Sequence, residues 1–177
     1  MARIVAAEQK ATDLLAKLGI DTIPVPVEEI AERSGAQVAY SRFEGDISGM
    51  LLREDGRTII GVNSWHAHTR QRFTIAHEIG HLQMHPGQPV FVDRETRVNL
   101  RAGQSNTEET QANGFAAELL MPRVQLRDAV EALLVRSPNL PSADLIGQLA
   151  EQFEVSAAAM QFRLMNVVNL NAYLLAG

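Results

Sequence analysis

His77-Glu78-Ile79-Gly80-His81 has the form H-E-x-x-H, inside the stretch FTIAHEIGHLQMHPG that runs from Phe73 to Gly87. On an α-helix, residues four apart share a face and lie about 6 Å apart along the axis. Two imidazoles so placed can converge on one ion. Zinc takes histidine nitrogen at ~2.0–2.1 Å, and a catalytic zinc keeps one position open to water. Glu78 follows His77 and is turned about 100° round the helix from it. That keeps it off the ion but close to a water in the open position, whose proton it can take and deliver to a leaving amine. The alternative is an ordinary amphipathic helix that happens to carry histidines, since Ile75, Ala76, Ile79 and Leu82 are apolar. Composition makes the pattern an accident on the order of one in a hundred, so the metal reading is preferred. Gly80 removes a side chain between the histidines and leaves room for another backbone or for a substrate.

A third ligand must be found. His85 lies on the same face as His77 and His81, but it is about 12 Å from His77 along the axis, too far for one ion to join all three. It also precedes Pro86, which disfavours helical geometry. His85 therefore reads as a residue beside the site or on the surface. The segment TEETQANGFAAELLMP offers Glu108, Glu109 and Glu118. Ala112, Phe115, Ala116, Leu119 and Leu120 mark its buried side. Glu109 lies at the edge of that face, so spacing prefers it and leaves Glu108 open. Asn113, four residues on, is either a surface polar residue or a partner that fixes the tautomer of a ligand histidine.

These residues need elements to hold them. Ile4, Ala7, Ala11, Leu14, Leu15 and Leu18 recur at helical spacing until Gly19. A short helix follows over Val27 to Ser34. Gln37–Tyr40, Ile47–Arg53 and Arg57–Asn63 read as strands, the last two joined by Glu54-Asp55-Gly56 as a hairpin. The expectation is a small three-stranded antiparallel sheet. A helix from about Ala67 to Met84 carries the histidines. Residues 88–105 read as a long surface loop with a brief strand at Val90–Val92. Further helices are expected over Asn106–Leu120, Arg123–Val135, Ser142–Phe153 and Ser156–Val168. The fold class is α+β: a small antiparallel sheet beside the H-E-x-x-H helix. Residues 1–136 form the metal-binding domain, and residues 137–177 a C-terminal helical segment, helix-turn-helix-like, packed on it.

Composition bounds the functions. The chain has 177 residues, 46% hydrophobic and 21% charged, with a net charge of −5. An acidic chain gives no general reason to bind nucleic acid or an anionic membrane. With no cysteine, a transition-metal site has only histidine and carboxylate ligands to draw on. Nothing reads as a signal peptide or a membrane span. The expected location is the cytoplasm.

Taken together, two segments are recognisable. RQRFTIAHEIGHLQMH at 70–85 and ETQANGFAAELLMP at 109–122 resemble the ImmA/IrrE family of metallopeptidases. The similarity extends to IPVPVEEIAERSGAQVAY, SGMLL, IIGVN and LAEQFEVSAAAMQFRLMNV. The resemblance implies a thermolysin-like zinc site whose third ligand is Glu109, from the family's E-x-x-A-N-x-F-A pattern. It also implies intracellular, site-specific cleavage of a partner, often a helix-turn-helix repressor, in phage, mobile-element or stress-response circuits.

In the C-terminal helix pair only Gln161, Arg163 and Asn166 have the chemistry to read bases, and the second helix opens on Ala157-Ala158-Ala159. Structure or partner docking is preferred there to DNA reading. His66 and His68 are two apart and would diverge on a helix, which argues against a second metal site. Arg70 and Arg72 are expected to make structural contacts. The ISGMLL strand is either an edge that pairs with an extended substrate or an internal strand. Two functions result: a zinc-dependent endopeptidase with His77, His81 and Glu109 as ligands and Glu78 as general base, or a non-enzymatic, zinc-stabilised regulator that binds protein or DNA. Glu78 favours the first.

Overall fold

Asp55 and Gly56 both have positive φ (49° and 74°), the backbone a two-residue hairpin turn requires. They join β2 (Ile47–Glu54) to β3 (Arg57–Asn63) as an antiparallel pair that closes at Glu54 opposite Arg57. The computed structural model describes residues 2–86, 90–94 and 106–167. Around the hairpin lie α1 (Ala2–Leu18), α2 (Val27–Arg33), β1 (Gln37–Ser41), α3 (His68–Met84), β4 (Val90–Arg94), α4 (Asn106–Leu120), α5 (Arg123–Arg136), α6 (Ser142–Phe153) and α7 (Ala157–Val167). The α+β class holds, and the H-E-x-x-H motif lies on α3.

The sheet differs from the antiparallel three-stranded expectation. It is mixed and four-stranded, in the order β1-β3-β2-β4, with β1 parallel to β3. The reason lies in the connection. Residues 42–46 carry the chain past the end of β3, so β1 lies beside β3 rather than β2. Asn63 pins this crossing, its Nδ2 donating to the Ile47 carbonyl at 2.9 Å while its Oδ1 accepts from the Trp65 amide at 3.1 Å. The brief strand foreseen at Val90–Val92 is β4, which pairs antiparallel with β2 across an irregularity at Ile47/Gly49. β2, which carries ISGMLL, is therefore internal. The rest of the 88–105 loop reading, like Val168 at the end of the last helix, lies outside the described residues.

One hydrophobic core joins the elements. Ala7, Ala11, Leu14 and Leu15 of α1, Ile75 and Ile79 of α3, Phe115 and Leu119 of α4, and Leu51 and Ile60 of the sheet are all buried in it. Leu149 and Phe153 of α6 and Met160 and Leu164 of α7 enter the same cluster. Glu154, with φ 51°, makes the turn between these two helices. Polar contacts fasten it: Glu154 meets Arg72 at 3.4 Å and His68 at 3.2 Å. Farther along, the buried Arg163 guanidinium donates to Glu8 at 2.6 Å, to Glu118, and to the Met121 carbonyl at 3.2 Å. These bonds tie α7 to α1 and α4.

Candidate metal centre

α3 is held from two sides, and glycine permits both approaches. A methyl group at Gly80 would stand 3.2 Å from Ala112 Cα and 3.3 Å from the Phe115 side chain. Of the two uses foreseen for the space at Gly80, the backbone of α4 takes it. On the other side, a methyl at Gly49 of β2 would collide with Thr74 Cγ2 and stand 3.0 Å from the Gly61 carbonyl and 3.5 Å from Glu78 Oε1. The catalytic candidate Glu78 is wholly buried at this contact between helix and sheet.

His77 and His81 are buried, one turn apart on α3. Their Nε2 atoms lie 3.0 Å from each other. Glu109 of α4 closes the group, with Oε2 at 3.3 Å from His77 Nε2 and Oε1 at 3.4 Å from His81 Nε2. The Glu109 side chain is 34% exposed, so the group opens to solvent on the side of α4. Among the described residues this is the one His/Cys/Asp/Glu cluster that could hold a metal. The spacing can be tested against an ion of zinc's size. Tetrahedral bonds of ~2.0–2.1 Å separate adjacent ligands by ~3.3–3.4 Å. Two of the three observed distances fall there and the third is slightly shorter, so the donor set fits without rearrangement of either helix.

Electrostatics agree with the geometry. Burial pushes His81 below its ordinary pKa, and the neighbouring His77 adds to the shift, against hydrogen bonding to Glu109. A neutral imidazole is the form that binds metal. For Glu109 in the metal-free protein, burial alone would raise the carboxyl, but hydrogen bonds from His77 and His81 outweigh it and hold it well below the usual carboxylate range. The other ring nitrogens are engaged as well. His77 Nδ1 meets Asn113 Oδ1 at 3.1 Å, and His81 Nδ1 meets His85 Nδ1 at 3.1 Å.

The remaining candidates fall elsewhere. Glu108 is not part of the cluster. Glu118 is bound to Arg163, to the Arg123 amide at 3.1 Å and to Thr12 at 3.3 Å. His68 bonds Glu154. Arg70 donates to Ser48 Oγ at 2.8 Å and lies over the Phe73 ring, while the buried Arg72 donates to the Val25 carbonyl at 2.9 Å. Both are structural contacts. Two residues near the centre escaped the sequence reading. Gln111 lies 3.4 Å from His85 Nε2. Arg53 of β2 donates to the His81 carbonyl at 3.4 Å; its guanidinium pKa is lowered by burial, and the attraction of Glu78 opposes that shift. Neither carries a local signal, because each reaches the centre only through tertiary packing.

An α+β domain that sets an H-E-x-x-H helix against a second helix supplying a carboxylate has the architecture of a metallopeptidase. The chain matches the peptidase M78 model, described as the IrrE N-terminal-like domain, over residues 31–165, and it belongs to that family. The matched span includes the sheet, both helices of the centre and nearly all of α7. No curated protein matches the chain.

Proposed function

We propose that this protein is a zinc-dependent endopeptidase that makes a single cut in a cytoplasmic helix-turn-helix repressor, within a phage, mobile-element or stress-response circuit. The observation that carries the reading is the convergence of His77 Nε2, His81 Nε2 and the Glu109 carboxylate at ligand-to-ligand distances, with a buried glutamate next in sequence to the first. His77, His81 and Glu109 would hold the ion. Zinc bound there supplies Lewis acidity, polarising the scissile carbonyl and lowering the pKa of water. Glu78 takes a proton from the attacking water and delivers it to the amine as the C–N bond breaks; the water's second proton passes from the new carboxyl to the amine, leaving a carboxylate and an ammonium group. Asn113 holds the His77 proton on Nδ1, so that Nε2 keeps its lone pair for the ion. A zinc that served only the fold would have no use for a carboxylate in Glu78's place.

Two features support a protein partner over nucleic acid. Of the three base-reading candidates on α7, Arg163 is buried on Glu118, and Asn166 bonds the Phe162 carbonyl at 2.8 Å. The same helix exposes Phe162 and Met165, which suit docking better than a phosphate backbone. Among the described residues no helix is long and apolar enough to cross a membrane. The test mixes the zinc-loaded protein with a helix-turn-helix repressor encoded beside it and, separately, with casein. One discrete cut in the repressor, slowed ~10²–10⁴-fold by Glu78→Gln, is the expected result. Broad digestion of casein with the repressor intact would overturn the proposed substrate, and undiminished cleavage by Glu78→Gln would remove Glu78 from the mechanism.

A further inference from the structure

His81 needs a bare Nε2 to bind metal, yet Glu109 competes for that position. In a neutral imidazole one nitrogen carries the proton. With the proton on Nε2, His81 could donate it to Glu109 Oε1, 3.4 Å away, and the lone pair would be lost to the ion. Something must hold the proton on Nδ1. For His77 that group is Asn113. For His81 the structure offers His85.

The end of α3 brings His85 into place. His85 caps the helix with φ −125° and ψ 66°, its amide still donating to the His81 carbonyl at 2.9 Å. Pro86 follows and disfavours continuation of the helix. The His85 ring therefore lies beside His81, with centroids 5.2 Å apart. Its Nδ1 faces His81 Nδ1 at 3.1 Å, and its Nε2 faces Gln111 Oε1 at 3.4 Å. Two nitrogens facing each other need one proton between them, so the direction of this chain matters. A Gln111 Oε1 acceptor calls for a proton on His85 Nε2. His85 Nδ1 is then bare and accepts the proton of His81 Nδ1, and His81 Nε2 is left bare as well. The reverse direction would place a proton between His81 and the ion.

We infer that His85 is a positioning residue: anchored by Gln111 of α4, it accepts the His81 Nδ1 proton and so fixes the tautomer in which His81 can bind metal. This rests on the ligand reading of His77, His81 and Glu109. Helix α4 then serves both histidines, His77 directly through Asn113 and His81 at one remove through Gln111 and His85.

The test compares zinc affinity, by chelator competition, in wild type, His85→Phe and His85→Asn. Phenylalanine fills the space without an acceptor, whereas the asparagine Oδ1 stands near the place of the lost Nδ1. His85→Phe should bind zinc 10–100-fold more weakly, the usual consequence of removing a group that orients a ligand, and His85→Asn should recover most of the loss. Long-range 1H–15N spectra of zinc-loaded wild type should show His81 protonated at Nδ1 and His85 at Nε2, a readout that needs no variant to fold. The inference fails if folded His85→Phe keeps wild-type affinity, if His85→Asn is as impaired as His85→Phe, or if His85 is protonated at Nδ1 in the loaded protein. A wild type that takes up no zinc would fail differently: the ligand assignment falls, and this inference with it.

Discussion

Replacing Gly80 by alanine should loosen the metal centre more than the fold. The added methyl would stand 3.2 Å from Ala112 Cα and 3.3 Å from Phe115 Cβ and Cδ1, inside ordinary van der Waals contact. Ala112 Cα is backbone, so relief comes from α4 shifting by a few tenths of an ångström, not from a rotamer change. Two effects oppose each other in stability. Alanine gains about 0.8–1.0 kcal/mol over glycine in a helix interior, while modest overpacking costs about 1–3 kcal/mol. The net cost to folding is therefore about 0–2 kcal/mol. The metal centre has less slack, because ligand distances tolerate shifts of only about 0.2 Å. Glu109 lies one turn before Ala112 and moves with it. A tenfold loss of zinc affinity, about 1.4 kcal/mol, is the expected size. Chelator competition would measure it, beside a thermal melt of the metal-free protein. Wild-type affinity in a variant whose melting temperature has fallen would refute the idea that helix spacing at Gly80 sets the ligand geometry.

Glu109→Ala should abolish stoichiometric zinc while Glu108→Ala leaves it unchanged, as elemental analysis of purified protein would show; full zinc in Glu109→Ala would remove that ligand. Acid should weaken the metal-free fold. The His81 pKa is depressed below 6.5 and that of Glu109 below 4.5, so both groups bind protons more weakly folded than unfolded, and their contributions are present at neutral pH and lost on acidification. Melting temperature should decline first below about pH 6.5, from His81, and again below about pH 4.5, from Glu109; a rise between pH 7 and pH 5 would contradict the assignment. Arg163→Ala should destabilise by about 3–5 kcal/mol, since it leaves Glu118 buried without its counter-charge. Urea unfolding would read this directly, and a change of a few tenths of a kcal/mol would show that the network contributes little.

Legibility followed the range of the interaction. His77, Glu78 and His81 could be placed by spacing because a helix fixes residues four apart whatever surrounds it. The phase of α4 put Glu109 at the edge of its buried face, and the structure brings it against the histidines. Asp55-Gly56 announced the hairpin because positive φ is a local demand. By contrast, the parallel pairing of β1 with β3 depends on where residues 42–46 carry the chain, and the alternation of apolar residues says nothing about which strand is the neighbour. The internal position of β2 depends in turn on β4, nearly forty residues later in the chain. Gln111 and Arg53 stayed hidden for the same reason.

Two close approaches to α3 occur where the chemistry is proposed. Gly49 lets β2 come close beneath Thr74 and Glu78, and Gly80 lets α4 reach the opposite side between the two histidines. The helix is thus gripped by the sheet at the residue assigned to move protons, and by α4 at the residues assigned to hold the ion. Neither contact can slacken without shifting one function relative to the other. A larger side chain at Gly49 would act on Glu78, and one at Gly80 on Glu109. Variants at the two glycines should therefore separate the roles. Gly49→Ala should keep zinc but slow hydrolysis, whereas Gly80→Ala should weaken zinc binding first. Equal loss of zinc in both would mean that α3 moves as a rigid unit and that the two sides of the grip are not independent.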